Sequence, residues 1–194
     1  MNARITGWLP RVAAVTLACL AGNIAPALAQ DVGTIQASLG GEKRTFYVIG
    51  AEGSQGQFST AFWADLGDGP VVTVAAAASR DAKIELQQGV PGFKGYEGAV
   101  LILTFPAPKG SSSAKITTRE ATLIYMPKHG DYGNWYSVGD GTVELDSADI
   151  RASGISTLRG SMSGRLEPMS GSGSVLELTG TFDVEEARAV TVPR

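Results

Sequence analysis

One imidazole, a short run of aromatic side chains and several aspartates beside glycine are the groups in this 194-residue sequence whose type and spacing could do chemistry. His129 is the only histidine and stands in Met126-Pro127-Lys128-His129-Gly130-Asp131. A hydrolytic triad would need it to join Asp131 and a distant serine. No G-x-S-x-G elbow supplies that serine. Gly53-Ser54-Gln55-Gly56, Gly160-Ser161-Met162-Ser163-Gly164 and Gly171-Ser172-Gly173 all miss the spacing or the strand-to-helix context. Zinc sites usually need more than one imidazole or thiolate, so His129 reads as an exposed loop residue. A serine hydrolase using His129 is the least favoured of three functional readings.

Tyr125, Tyr132, Trp135 and Tyr136 are interleaved with Lys128, His129, Asp131 and Asn134. Flat aromatic faces beside amides and carboxylates suit a sugar ring, which is apolar on one face and hydroxylated at its rim. Tyr125, His129, Tyr132, Trp135 and Tyr136 are therefore the candidate ligand-binding residues, for a carbohydrate or a peptide. A counter-argument comes from strand geometry. Trp135 and Tyr136 are consecutive, so on a strand they point to opposite faces, and one of them belongs to a core. Phe62-Trp63 is a smaller aromatic pair open to the same reading.

Asp65 with Asp68, and Asp140, Asp146 and Asp149, could offer oxygen ligands to calcium, but neither group has the spacing of a calcium loop. Aspartate beside glycine favours turns by bonding the local backbone. The Gly-Ser stretches at 110–113 and 171–174 lack a lysine in phosphate-loop position and read as hairpin tips or linkers. No metal and no cofactor is expected.

The environment of these groups is set by the first 29 residues. Arg4 and Arg11 are the only charges before an apolar run from Val12 to Gly22, followed by Pro26 and the small-x-small motif Ala27-Leu28-Ala29. This is the pattern of a secretory signal peptide, with cleavage expected after Ala29. The run is too short to span a bilayer, and no later stretch is long and apolar enough to span one as a helix. Cys19 lies within the run, preceded by Thr16-Leu17-Ala18. A lipoprotein signal usually has leucine where Thr16 stands, so lipidation is disfavoured. Removing the leader removes the only cysteine, and with it disulfides, thiolate nucleophiles and zinc–sulfur sites. It leaves fourteen basic against nineteen acidic residues, a net charge of −5. Lys43-Arg44 is the sole adjacent basic pair, so a nucleic-acid partner is not expected. The chain is expected to work in the periplasm or outside the cell, with an envelope protein or a glycan as its partner.

Residues 30–194 suffice for one domain with a real core. Their apolar residues come in short runs bounded by Gly, Asp, Ser or Pro, which predicts strands. A hairpin is expected from 34–39 and 44–49 around Gly40-Gly41, and another from 57–66 and 71–77 around Gly67-Asp68-Gly69-Pro70. Residues 83–87 alternate strictly. The unbroken run 99–105 predicts a strand buried on both faces, and 115–126 restores the strand pattern after an exposed loop at 106–113. Residues 142–146, 155–166 and 174–184 have apolar residues mainly at every second position, with Gly160, Gly164 and Gly180 marking bulges or bends. Helix signals are confined to 74–80, equally readable as a strand end, and to Glu185-Glu186-Ala187-Arg188.

Gly141-Thr142-Val143-Glu144-Leu145, then Gly154 to Gly164, then Gly180-Thr181-Phe182-Asp183-Val184, together with the opening Ala37 to Glu42, resemble small exported bacterial β-sandwich domains of unknown function. Met162 stands where those domains usually carry an aromatic residue. The resemblance implies export and architecture, and it transfers no catalytic residue. The expectation is an all-β single domain, an antiparallel β-sandwich or flattened β-barrel. Its favoured role is non-catalytic, either binding or structural.

Overall fold

The computed structural model describes residues 28–53, 56–65, 69–87, 90–108, 113–117, 120–131, 133–151, 154–171 and 173–188. The expected leader up to Ala27, and Tyr132, lie outside the described residues. Those described form thirteen strands and no helix.

The chain opens with the expected hairpin, β1 (Leu28–Leu39) and β2 (Glu42–Gly53). Gly40 and Gly41 join them at φ of 58° and 90°. Two successive positive φ angles match the twist of the flanking strands, and glycine adopts them without a Cβ penalty. The next strands are β3 (Gly56–Ser59), β4 (Ala61–Asp65) and β5 (Pro70–Ala77). A separate hairpin follows, β6 (Ile84–Gln87) with β7 (Val90–Phe93). Then come β8 (Val100–Pro106), β9 (Ala114–Thr117) and β10 (Thr122–Met126). Three long strands end the fold, β11 (Tyr136–Arg151), β12 (Gly154–Pro168) and β13 (Leu176–Arg188).

Eight of these form a closed antiparallel ring in the order β2-β1-β13-β12-β11-β10-β8-β5, with β5 returning to β2 at Tyr47↔Ala77. β3 lies on β2, β4 on β5, and β9 on β11. Alternation puts Ile35, Phe46, Val74, Leu103, Leu158 and Phe182 into one shared apolar interior. β8 is covered on both faces as expected: Leu101, Leu103 and Phe105 point into that interior, while Val100 and Ile102 join a second apolar cluster. β4 contributes Ala61 and Trp63 to the main core, and the Trp63 indole N–H donates to the Arg151 carbonyl at 2.9 Å. Phe62 is buried as well.

Three details depart from the sequence reading. Gly160, Gly164 and Gly180 keep regular register with β13 and β1, and the register shifts fall instead in the β11–β12 ladder at Val138/Asp140, Leu145/Ser147 and Asp149/Ile150, and on β1 between Asp31 and Gly33. Residues 115–126 make two strands, because β9 stays on β11 while β10 crosses to β8. The 185–188 segment continues β13 rather than forming a helix, since Glu185 and Ala187 pair with Thr157 and Ile155. Of the two readings open for 74–80, the strand end is the one found: β5 runs to Ala77, with Ala76 in the main core and Ala75 and Ala77 in the second apolar cluster.

The seam between β2 and β5 has a single ladder pair, and Thr60 supplies what the ladder lacks. Its N–H donates to the Ile49 carbonyl at 2.8 Å, its carbonyl accepts from Ala75 N–H at 2.8 Å, and its Oγ1 accepts from Ile49 N–H at 3.1 Å. Thr60 is 1% exposed. Thr60→Val keeps the shape but leaves the Ile49 N–H without an acceptor, a loss expected to cost about 2 kcal/mol. A fall in the urea midpoint at unchanged m-value would show it.

Candidate functional site

The candidate segment spans the end of β10, the 127–135 connection and the start of β11. Tyr125 and Tyr136 are direct cross-strand partners, so they share a face. That face is the inside of the ring, at one end. Tyr125 is buried, with its ring edge-on to Phe46 at 6.3 Å and 81°, and 6.1 Å from the half-buried Tyr136 ring. Arg44 closes the group. It occupies the inward phase of β2, two residues before Phe46, and its Nη1 donates to the Tyr125 hydroxyl at 2.7 Å. Its Nη2 donates to Glu42 Oε2 at 2.7 Å, and the guanidinium carbon lies 5.9 Å from the Tyr125 ring centre. The Arg44 side chain is 40% exposed, so the group forms a rim between core and water.

Burial and charge shift two groups of this rim, Tyr125 and Arg44. Burial pushes the Tyr125 hydroxyl above the ordinary phenol value, with the Arg44 charge pulling the other way. Tyr96 is raised for the same primary reason, burial. Arg44 is held above its ordinary value chiefly by its hydrogen bond to Glu42. The raised phenols give a sign to alkaline behaviour. Between the ordinary phenol pKa of about 10 and the higher folded value, the unfolded chain releases protons that the folded chain keeps. Stability is therefore unaffected by these groups below about pH 10 and falls as pH rises through the folded values. Tyr125→Phe should flatten part of that alkaline fall, read from urea midpoints across pH.

His129 and Trp135 lie on the other side of the sheet. The His129 N–H donates to the Gly98 carbonyl at 2.9 Å, its Nδ1 lies 3.0 Å from the Tyr96 carbonyl, and its ring meets the Phe93 ring at 5.8 Å and 81°. Trp135 packs against the second apolar cluster together with Ile124. The five candidates thus divide: Tyr125 and Tyr136 at the end of the ring, His129 and Trp135 outside it, and Tyr132 outside the described residues. Trp135 and Tyr136 face opposite ways, as consecutive residues at the start of a strand must.

Asp131 is not turned toward His129. Its carboxylate accepts from Asn134 Nδ2 at 2.8 Å and from Gly133 N–H at 3.3 Å, a local turn. Asp149 binds Arg151 at 2.6 Å. Asp68 and the Asp65 side chain lie outside the described residues. Among the described residues no group of three or more His, Cys, Asp or Glu side chains is placed to hold a metal ion.

Sequence reading missed Arg44 and Phe46 as parts of the rim. The usable signal was phase: Arg44-x-Phe46-x-Val48 puts a cation in register with two core residues. Compared with protein-family models, curated proteins and solved structures, the chain has no significant match.

Proposed function

We propose that this is an exported, non-catalytic barrel domain of the cell envelope, which binds a partner on its outside or rim rather than enclosing a small molecule. The observation that carries this reading is the interior. Inward side chains from all eight ring strands join one continuous apolar cluster, whose large members Phe46, Leu101, Leu103, Leu158 and Leu166 are at most 1% exposed. Small inward residues such as Ala37, Ala76 and Ala148 favour a flattened barrel, in which opposite walls approach closely.

The outer surface supports a domain that faces water. Arg159 pairs with Asp183 at 2.8 Å and Glu185 at 2.6 Å, and Arg165 with Glu177 at 3.5 Å, all exposed. A barrel embedded in lipid has the opposite arrangement, apolar outside. Among the described residues no helix is long and apolar enough to cross a membrane. The leader motif supports export to the periplasm or beyond.

The test is affinity capture from envelope extracts with residues 30–194, followed by native mass spectrometry of the purified protein. A defined protein or glycan partner, bound at fixed stoichiometry by a barrel that holds no small molecule, is the expected result. A small molecule retained inside the purified barrel would overturn it.

One observation favours a narrower reading, a carbohydrate or peptide site at the rim: the paired Tyr125 and Tyr136 rings stand beside a half-exposed guanidinium. Under this reading Tyr136→Ala weakens binding of a glycan or peptide found in a panel by about tenfold, while Trp135→Ala does not. Equal losses from both variants, measured by calorimetry, would rule out the rim.

A further inference from the structure

Outside the ring lies an apolar surface that a sheet would ordinarily present to water. Ile49, Ala77, Val100 and Met126 face outward from β2, β5, β8 and β10, and each is at most 1% exposed. They are covered by the connection between β5 and β8, whose hairpin lays Ile84 and Phe93 on them. β6 and β7 pair only with each other, and no ladder joins them to the ring. A lone two-stranded hairpin is marginal in water, so this one is held by the face it covers and by fastenings at its root.

Those fastenings converge on one turn. The Ala78 N–H donates to the Ala99 carbonyl at 2.9 Å, tying the two ends of the connection together. His129, from the β10–β11 connection, then holds the returning arm at three points: Gly98 through its backbone, Tyr96 through Nδ1, and Phe93 through its ring. The Lys94–Glu85 ion pair at 2.8 Å links β7's end to β6, holding the hairpin to itself and not to the ring. Gly95, at φ 58°, supplies a turn between the hairpin and the latched residues.

We infer that β6–β7 is a hinged strap, latched by His129, which opens as a unit while the eight-strand ring remains closed. Opening breaks apolar contacts and the latch, but none of the ring's ladder bonds. It uncovers the outward face of Ile49, Ala77, Val100 and Met126. Ring strands have no such freedom, because each is paired on both edges.

Amide hydrogen exchange by NMR on the protein purified from its producing cell tests the strap. The Lys94 amide, which donates to the Lys83 carbonyl at 2.8 Å, reports on the hairpin. It should exchange at least about a hundredfold faster than the protected amides of β12 and β13, with a denaturant dependence smaller than that of global unfolding but above zero. His129→Ala should speed the Lys94 amide by about tenfold further and leave the ring amides unchanged. Binding of the apolar dye ANS should rise in the same variant at unchanged circular dichroism. Tyr96→Phe, which removes only the hydroxyl donating to the Ala99 carbonyl at 3.3 Å, should act in the same direction by a few fold. Exchange of Lys94 and the ring amides in one common event would overturn the inference. So would acceleration of the ring by either variant, or loss of the ring in His129→Ala.

Discussion

Gly160→Ala should lower the stability of the barrel by about 3 kcal/mol, one methyl group having nowhere to go. Gly160 sits in β12 opposite Leu145 on one side and Phe182 on the other. A Cβ there would lie 2.7 Å from Phe182 Cζ and 3.1 Å from Leu145 Cα, and would press on the Glu144 carbonyl oxygen. The Phe182 ring can rotate or shift. The backbone of β11 can yield only by distorting its ladder, so the cost persists when the ring is trimmed. Phe182→Leu combined with Gly160→Ala should therefore not restore the stability of Phe182→Leu alone. The contrast is Gly41, where an added Cβ meets nothing within 4 Å and the penalty is conformational, at φ 90°. Gly41→Ala should cost about 1 kcal/mol. Urea unfolding followed by tryptophan fluorescence would rank the two; equal losses would show that β12 relaxes around its new side chain.

Phe46→Ala should cost about 4 kcal/mol. Phe46 is fully buried, pairs with Ile35 across β1, and supports the Tyr125 ring from below. Truncation removes an aromatic ring from a core in which neighbouring strands are fixed by two ladders each, so collapse around the void is limited. The loss should reach the rim, because the edge-on contact to Tyr125 goes with it. A double-mutant cycle with Tyr125→Leu should give a coupling of about 1 kcal/mol. A coupling near zero would mean that Tyr125 is positioned by Arg44 and Tyr136 alone.

Local chemistry made much of the fold legible. Alternation at 34–39 and 158–166 reports which residues face the interior, and Gly40-Gly41 permits few conformations besides the hairpin turn it makes. The unbroken apolar run of β8 correctly indicated two covered faces. What remained hidden depends on partners far away in sequence. Nothing local to β2 says that its other edge closes on β5, or that Thr60 completes the seam. Val90-Pro91-Gly92-Phe93 carries a proline and a glycine, so β7 does not read as a strand and the strap was invisible. The site suffered in the same way. Nearness in sequence grouped Tyr125 with Trp135, whereas strand parity separates them, and the residue that does join Tyr125 is Arg44, 81 positions away.

The ladder between β1 and β13 joins the first and the last strand of the barrel, with Gly33 against Val184 and Leu39 against Leu178. A chain emerging from its N-terminus must hold β1 with one edge vacant until the final strand arrives, and long-range pairings of this kind are slow to form. During that interval the ring is an open sheet with adhesive borders, exposed to strand exchange with a neighbouring copy. Truncating the last strand should therefore lead to aggregation rather than to a slightly smaller barrel.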